Sequence, residues 1–143
     1  MVIYEVLRLY PPTIFFNRTL QKDMNLGNLS LPAGVKVALP IFLLHQDGDI
    51  WGDDAKEFNP QRFSEGIAKA TKGQLSFYPF GWGPRICIGQ NFALLEAKIV
   101  LSLLLQNFSF ELSPNYKHAP TAVLSLQPKH GAPIVLHKLQ NPS

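Results

Sequence analysis

The sequence predicts an α+β fold, mainly α, from three features of its apolar residues. Apolar side chains recur at three- and four-residue spacings over a segment of about 18 residues, which is typical of an amphipathic helix. A shorter helical pattern covers Val2 to Tyr10 and stops at Pro11. Short apolar runs divided by prolines follow the long helix and predict strands. The positions that define the long helix are Ile88, Phe92, Leu95, Ile99 and Leu103.

The first helix is short and begins at the first residue. Val2, Val6 and Leu9 share one face of it, and Pro11-Pro12 ends it. Since no capping residue precedes it, the pattern indicates the tail of a longer helix.

The strands are predicted from apolar runs bounded by turn residues. Leu26 to Leu31 and Val35 to Leu39 flank Pro32-Ala33-Gly34 and predict a β-hairpin. Near the C-terminus, Phe108 to Leu112, Ala122 to Gln127 and Ile134 to Leu136 predict three short strands. The intervening stretch from residue 59 to residue 84 has little periodicity, and a loop of that length is usually functional.

Composition and charge exclude several classes of protein. The chain has 143 residues, 46% hydrophobic and 16% charged, which fits one modest globular unit rather than a disordered segment. Its 13 Lys and Arg residues are scattered, so we do not expect nucleic-acid binding. We identify no signal peptide and no apolar run as long as a membrane span. The single cysteine excludes an internal disulfide.

That cysteine, Cys87, lies in a Gly-rich loop directly before the long helix. A sulfur that ligates an iron porphyrin must stay ionised, and the start of a helix supplies positive potential for this. Gly83 would allow a tight turn, Gly89 would allow close approach of the porphyrin, and Arg85 could bind a propionate as a forked donor. Phe80 and Trp82 could keep water from the sulfur. For a lone cysteine, the ordinary alternative is a buried structural thiol.

The loop residues match Phe-x-x-Gly-x-Arg-x-Cys-x-Gly from Phe80 to Gly89, and in this the chain resembles the cytochrome P450 superfamily of haem-thiolate monooxygenases. The resemblance implies haem b as cofactor, with Cys87 as the axial thiolate and metal ligand. It assigns further haem-binding roles along the same loop and in one earlier segment. These cofactor-binding residues are Arg18, Phe80, Gly83, Arg85, Cys87 and Gly89.

Two further motifs follow the order of that family. Glu5 and Arg8 fit the Glu-x-x-Arg pair of the helix before the haem loop, and residues three apart on a helix share a face. Arg62 fits the Pro-x-Arg-Phe motif, although Gln61 replaces the more frequent Glu. The resemblance implies a buried structural network of Glu5, Arg8 and Arg62 that fixes the cysteine loop without joining the chemistry.

Two segments resemble parts of the family that line the substrate side of the haem. One follows Pro11-Pro12 and leads to Arg18, which is expected at the second propionate. The other is a β-turn near the C-terminus. The expected lining residues are Thr13, Ile14, Phe15 and Phe16 in the first segment, and Thr121, Ala122, Val123 and Leu124 in the second.

The histidines lack the spacing of a metal site. His45 is expected to serve in packing, whereas His118, His130 and His137 are expected at the surface or in turns. No nucleotide-binding motif is present in the sequence.

The resemblance covers nearly the whole chain but only the last third of such an enzyme, so residues 1–143 are expected to form a single partial domain. The closest likeness is to the plant 72 clan, whose members oxidise small lipophilic, isoprenoid-derived substrates. The resemblance implies electrons from NADPH through a separate reductase, which binds the proximal face. It also implies attachment to the cytosolic face of the endoplasmic reticulum membrane by an N-terminal anchor that this sequence lacks.

Two hypotheses therefore stay open. The chain is either the C-terminal portion of a monooxygenase or a short product without catalysis, an inert remnant or a partner-binding piece. The distal helix that protonates dioxygen is absent from the sequence, and we expect the 143 residues to fold poorly alone. Coding sequence upstream of Met1 and in frame with it would separate the hypotheses.

Overall fold

The fold combines one long helix, several short helices and four small sheets. A computed structural model describes residues 1–139. The helices are α1 Val2–Leu9, α2 Ile41–Leu44, α3 Gly48–Trp51, α4 Ile67–Ala70 and α5 Gln90–Asn107, with 3-10 turns at Pro60–Phe63 and Gly83–Arg85. The strands are β1 Phe16–Thr19, β2 Met24–Leu26, β3 Leu29–Leu31, β4 Lys36–Leu39, β5 Phe108–Leu112, β6 Pro120–Ala122, β7 Leu126–Pro128 and β8 Ile134–Lys138. This mixed architecture confirms the predicted α+β class.

Each sheet consists of two antiparallel strands. β1 pairs with β4 and β2 pairs with β3 in the first half of the chain. β5 pairs with β8, and β6 pairs with β7 between them. The β2–β3 hairpin lies in the connection between β1 and β4 and forms a separate sheet.

The prediction for the first hairpin was wrong in its register. Residues 26–31 do not form one strand, because the chain reverses at Gly27, whose φ of +57° suits glycine. Pro32-Ala33-Gly34 instead leads to β4, which pairs with β1 rather than with β3. The Asp23 side chain accepts a hydrogen bond from the Ala33 N–H at 2.7 Å and fixes this connection.

The predicted strand from Ala122 to Gln127 is also wrong as a single strand. The chain turns within it, so that Ala122 ends β6 and Leu126 begins β7. The tip is Val123-Leu124-Ser125, where apolar residues occupy a turn and mimic a strand pattern. The predicted strands Phe108 to Leu112 and Ile134 to Leu136 correspond to β5 and β8.

The core lies between α1 and the segment from α3 to the cysteine loop. Trp51, Ala55, Phe63 and Phe77 are buried, and Tyr4 of α1 packs against them. Ring centroids of Phe63 and Phe77 are 5.1 Å apart, within the range of favourable aromatic pairs. The Tyr4 side chain of α1 is thus held in an aromatic cluster built by residues 47 to 73 positions later in the chain.

Helix α5 has the predicted length of 18 residues, but the prediction of a one-sided amphipathic helix was wrong. Phe92 and Ile99 lie on the predicted apolar face, whereas Val100 and Leu104 lie on another, and all four are exposed. A helix that is apolar on more than one side is typical of the interior of a larger protein. No helix among residues 1–139 is long and apolar enough to cross a membrane.

We predict that the 143-residue chain, purified alone, binds a hydrophobic-surface dye and elutes above its 16.0 kDa mass. The reason is the exposed apolar surface of α5, which water solvates poorly. Phe92→Glu combined with Ile99→Glu should lower both signals, as measured by dye fluorescence and size-exclusion chromatography. Leu29→Glu on the β2–β3 hairpin is the control. Equal changes in dye fluorescence and elution volume for the α5 variant and the Leu29→Glu control would contradict the assignment of these signals to α5.

Candidate functional site

The cysteine loop is closed on itself by backbone hydrogen bonds. The Cys87 N–H donates to the Phe80 carbonyl at 2.9 Å, and the Gly81 N–H donates to the Tyr78 carbonyl at 2.9 Å. The Ile86 N–H donates to the Gly83 carbonyl at 3.1 Å. These bonds fix the backbone of Cys87 immediately before α5, whose dipole places positive potential near the sulfur.

Two glycines make the turn possible. Gly81 has φ +80° and Gly83 has φ +71°, in the left-handed region that side chains disfavour. For Gly83 this is the conformation that the sequence predicts. Sequence reasoning gave Gly81 no role, although its position two residues before Gly83 was the available signal. A Cβ on Gly81 would lie 3.5 Å from both the Arg85 carbonyl and the Phe16 ring.

Gly89 has an ordinary backbone conformation, so the space beside it matters more than its flexibility. Its φ is −87°, and a Cβ there would lie 3.9 Å from the Cys87 sulfur, Sγ. The absence of a side chain therefore keeps open the surface next to the sulfur. A flat group that approaches Cys87 would occupy this space.

The surface around Cys87 is apolar and exposed. Ile88 is fully exposed, Trp82 and Phe92 are largely exposed, and Ile86 is about half exposed. Cys87 is itself an exposed free thiol. Phe80 is half-buried, whereas the exposure of Trp82 leaves it free to cover a bound group rather than the core. An apolar surface that bears a free thiol fits a haem macrocycle.

The two arginines expected at the propionates lie on separate elements. Arg85 is exposed in the 3-10 turn before Cys87. Arg18 is on β1, with its guanidinium carbon 5.6 Å from the centroid of the Phe16 ring. Since that ring packs against Gly81, Arg18 is brought close to the cysteine loop. Within residues 1–139 neither arginine forms a salt bridge, so both can meet an anionic ligand.

Glu5 and Arg8 form a buried bidentate ion pair at the centre of the fold. Both side chains are fully buried, and Arg8 donates from Nε to Glu5 Oε2 at 2.9 Å and from Nη2 to Oε1 at 2.7 Å. Arg8 also donates to the backbone carbonyls of His45, Ala55 and Glu57. The guanidinium thus ties α1 to three points of the segment that follows β4.

Arg62 lies beside Glu5 but makes its hydrogen bonds elsewhere. Its Nε is 3.7 Å from Glu5 Oε1, which is an ion-pair distance rather than a hydrogen bond. Its Nη1 donates to the Trp51 carbonyl at 2.8 Å, and its Nη2 is 2.8 Å from Asp54 Oδ2. The charged group expected to comprise Glu5, Arg8 and Arg62 therefore has a fourth member, Asp54.

Asn59 is a second residue that sequence reasoning missed. Its backbone N–H donates to Glu5 Oε1 at 2.9 Å, and its side chain donates to Asp54 Oδ2 at 3.2 Å. The available signals were the position of Asn59 before Pro60 and of Asp54 in the acidic run after Trp51. Asn59 thus donates a hydrogen bond to each of the two carboxylates of the network, Glu5 and Asp54.

The ion pairs decide the protonation of both carboxylates. Burial raises the pKa of Glu5, but the hydrogen bonds from Arg8 and Asn59 and the charges of Arg8 and Arg62 outweigh burial and leave it below its ordinary value. The hydrogen bond from Arg62 lowers the pKa of Asp54. Both carboxylates are therefore ionised at neutral pH, and the network of two carboxylates and two guanidinium groups is balanced.

The structure brings the two segments expected to line a substrate pocket next to each other. The Leu126 N–H donates to the Pro12 carbonyl at 2.8 Å and joins the β6–β7 hairpin to the segment before β1. At the hairpin tip, Val123 and Leu124 are 83% and 99% exposed, so they have no core role among residues 1–139. Phe16 differs from its neighbours, because its ring packs on the cysteine loop.

The histidines take different environments. His45 is fully buried, as its expected packing role requires, but its Nε2 also accepts a hydrogen bond from the Tyr78 N–H at 3.2 Å. His118 lies between the hydroxyl groups of Tyr10 and Tyr116 at the surface. His130 and His137 are exposed. Residues 1–139 contain no cluster of three or more acidic, histidine or cysteine side chains able to bind a metal ion.

The fold and the loop are those of a known class. The family model for cytochrome P450 matches residues 1–134. A retinoic acid-bound cyanobacterial cytochrome P450, CYP120A1, superposes with a TM-score of 0.88 at 35% identity, over 96% of this chain and 32% of that one. The chain belongs to the cytochrome P450 family.

Plant relatives are more similar still. Cytochrome P450 CYP72A613 of Trigonella foenum-graecum is 77% identical over 97% of this chain, and 11-oxo-beta-amyrin 30-oxidase of Glycyrrhiza uralensis is 76% identical over the same share. The chain covers 26% and 27% of those two relatives. It therefore spans about a quarter of the length of the curated relatives it matches.

We predict that Glu5→Gln destabilises the protein by about 3–5 kcal/mol, because it leaves the buried Arg8 charge without its carboxylate partner. The measurement is thermal denaturation of a chimera in which this chain replaces the matching segment of the Glycyrrhiza uralensis relative. The carboxylate contribution should be complete above pH 4.5 and be lost as pH falls through the lowered pKa of Glu5.

Glu57→Gln is the matched control for this prediction. The Glu57 side chain is exposed, and only its backbone carbonyl contacts Arg8. Equal denaturation midpoints for the two variants would contradict a buried charged role for Glu5.

Proposed function

We propose that this chain is the proximal, ligand-bearing portion of a haem-thiolate monooxygenase that inserts one oxygen atom from O2 into a small lipophilic substrate. Residues 1–143 then form one part of a single domain. The observation that carries the proposal is the position of Cys87: an exposed thiol, with its backbone fixed by hydrogen bonds, on an open apolar surface before α5. Haem b would be the cofactor, and Cys87 would hold its iron through the thiolate. When bound, the haem supplies the chemistry of oxygen reduction and transfer.

The residues of this chain hold and orient that cofactor. Arg85 and Arg18 would bind the two propionates as forked donors suited to carboxylates. Gly83 shapes the loop, Gly89 leaves the porphyrin face uncovered, and Phe80 limits the access of water to the sulfur. The network of Glu5, Arg8, Arg62 and Asp54 fixes the segment on which the loop rests.

The names of two relatives and the surface that this chain contributes support a proposal for the substrate class. Two relatives, from Glycyrrhiza uralensis and Medicago truncatula, are named 11-oxo-beta-amyrin 30-oxidases, and they share 76% and 75% identity with this chain. We propose an isoprenoid-derived substrate. The segment from Thr13 to Phe15 and the tip from Thr121 to Leu124 contribute to its pocket, and both carry apolar side chains suited to a lipophilic molecule.

The complete enzyme needs partners outside this chain. We propose that electrons come from NADPH through a separate reductase, which docks on the proximal face that bears Cys87. We also propose that the complete protein lies on the cytosolic face of the endoplasmic reticulum membrane, attached by an N-terminal anchor.

The alternative is a short product without catalysis, an inert remnant or a partner-binding piece. The observation that favours a partner-binding piece is the exposed apolar surface of α5, since such patches often mark interaction sites. In that case transcripts would begin at Met1, and the purified chain would not bind haem. Transcripts that extend upstream in frame would favour the monooxygenase.

We predict that the chimera with the Glycyrrhiza uralensis relative shows the strongly red-shifted Soret band of a ferrous–CO thiolate complex. Cys87→Ala should abolish this band, because no sulfur remains at the axial position. The measurement is the reduced CO difference spectrum. Glu57→Gln provides a matched surface control. An unchanged band in Cys87→Ala would refute the ligand assignment.

We also predict that Arg18→Gln and Arg85→Gln each weaken haem retention by about ten- to a hundredfold, since each loses a charge-assisted pair worth about 1.5–3 kcal/mol. The rate of haem transfer to an excess of apomyoglobin measures this. Lys98→Gln on exposed α5 is the control. Wild-type transfer rates in both arginine variants would contradict propionate binding.

A further inference from the structure

His45 is a buried histidine at the junction between the charged network and the cysteine loop. Its side chain has no exposed surface, and its ring stacks on Phe77 with centroids 5.3 Å apart. The Tyr78 ring meets it edge-on at 5.9 Å. A residue needed only to fill this space could be apolar, because burying an imidazole costs solvation free energy.

The backbone and the side chain of His45 form hydrogen bonds with different parts of the fold. Its backbone carbonyl accepts from Arg8 Nη1 at 2.7 Å, and its Nε2 accepts from the Tyr78 N–H at 3.2 Å. One residue thus joins the guanidinium of the network to the first turn of the cysteine loop.

Two backbone hydrogen bonds connect the segment that starts at Tyr78 with Cys87. The Tyr78 carbonyl accepts from the Gly81 N–H, and the carbonyl of the intervening Phe80 accepts from the Cys87 N–H, each at 2.9 Å. The Tyr78 N–H is the only donor of this turn that is bonded to a side chain among residues 1–139. Loss of its acceptor would free the start of the turn that ends at Cys87.

The protonation state of His45 suits this contact. Burial lowers the pKa of His45 to about 4, and the Arg8 charge acts in the same direction, whereas the nearby backbone carbonyls of Leu7 and Arg8 oppose them. Among residues 1–139, the ionisable side chains found against the ring are Arg8 of α1 and Tyr78 of the loop. A neutral imidazole with its proton on Nδ1 leaves the Nε2 lone pair for the Tyr78 N–H.

We propose that His45 is a positioning residue for the thiolate ligand: its Nε2 holds the start of the cysteine loop in the geometry that presents Cys87 to the haem iron. The proposal rests on the proposed function, since it concerns the same ligand. It goes beyond a packing role, because it requires a hydrogen-bond acceptor at Nε2 rather than a side chain of the right volume.

Two substitutions in the chimera separate an acceptor from a filler. His45→Gln keeps an oxygen that can reach the Tyr78 N–H, whereas His45→Leu has similar size and no acceptor. Tyr78→Phe, which keeps the backbone N–H, is the control. The readouts are the fraction of haem that gives the red-shifted ferrous–CO band, the total haem content and the far-ultraviolet circular dichroism.

We expect His45→Leu to convert the red-shifted band to an unshifted one about ten- to a hundredfold faster than the unmodified chimera, with haem content and helicity retained. His45→Gln and Tyr78→Phe should keep the band. A stable band in His45→Leu, or loss of it in both His45 variants, would overturn the proposal. An unmodified chimera without the red-shifted band would instead refute the proposed function.

The pH profile tests the same contact without the leucine variant, should that variant fail to fold. The folded pKa of about 4 lies below the ordinary 6.5, so protonation favours the opened loop, and the band should weaken as pH falls from 6.5 toward 4. His45→Gln should weaken less over this range, since an amide does not titrate there. Superimposable profiles for the unmodified chimera and His45→Gln would overturn the proposal.

Discussion

The buried guanidinium of Arg8 is the interaction on which the rest of the structure depends. It has five N–H donors and no exposed surface, so each donor must find an acceptor inside the fold. Glu5 takes a bidentate pair and three backbone carbonyls take the others. Since those carbonyls lie 37 to 49 residues away along the chain, satisfying one side chain requires the fold of the whole segment between β4 and the first 3-10 turn.

The charged network and the aromatic core are neighbours, and they stabilise the fold in different ways. The core residues Trp51, Phe63 and Phe77 supply buried apolar area without fixing one orientation, whereas hydrogen bonds fix orientation with a smaller net free energy. Arg8 also lies 5.1 Å from the Trp51 ring centroid, so the two systems share a contact. The cysteine loop begins at Tyr78, directly after Phe77 of this core, and therefore starts from a defined position.

Sequence reasoning succeeded where a local pattern determines the structure. Three features follow from residue type and spacing: the end of α1 before Pro11, the length of α5 and the left-handed turn at Gly83. It failed where the partner is remote: nothing local shows that β4 pairs with β1, or that Arg62 bonds to Asp54 more closely than to Glu5. It also misjudged α5 as one-sided, because apolar spacing on one face does not exclude apolar residues on the others. Roles that depend on a bound haem can be expected from the motif, but only loading experiments test them.

The use of backbone carbonyls by Arg8 has an evolutionary consequence. Every residue type supplies the same carbonyl, so the identities of Ala55 and Glu57 can change without removing an acceptor from the guanidinium. For these hydrogen bonds the sequence constraint rests on Glu5 and Arg8 themselves, and exposed positions of the connecting segment such as Glu57 can change. Members of a family can in this way differ at the surface of the connecting segment while the buried Glu5–Arg8 pair that supports the cofactor loop stays the same.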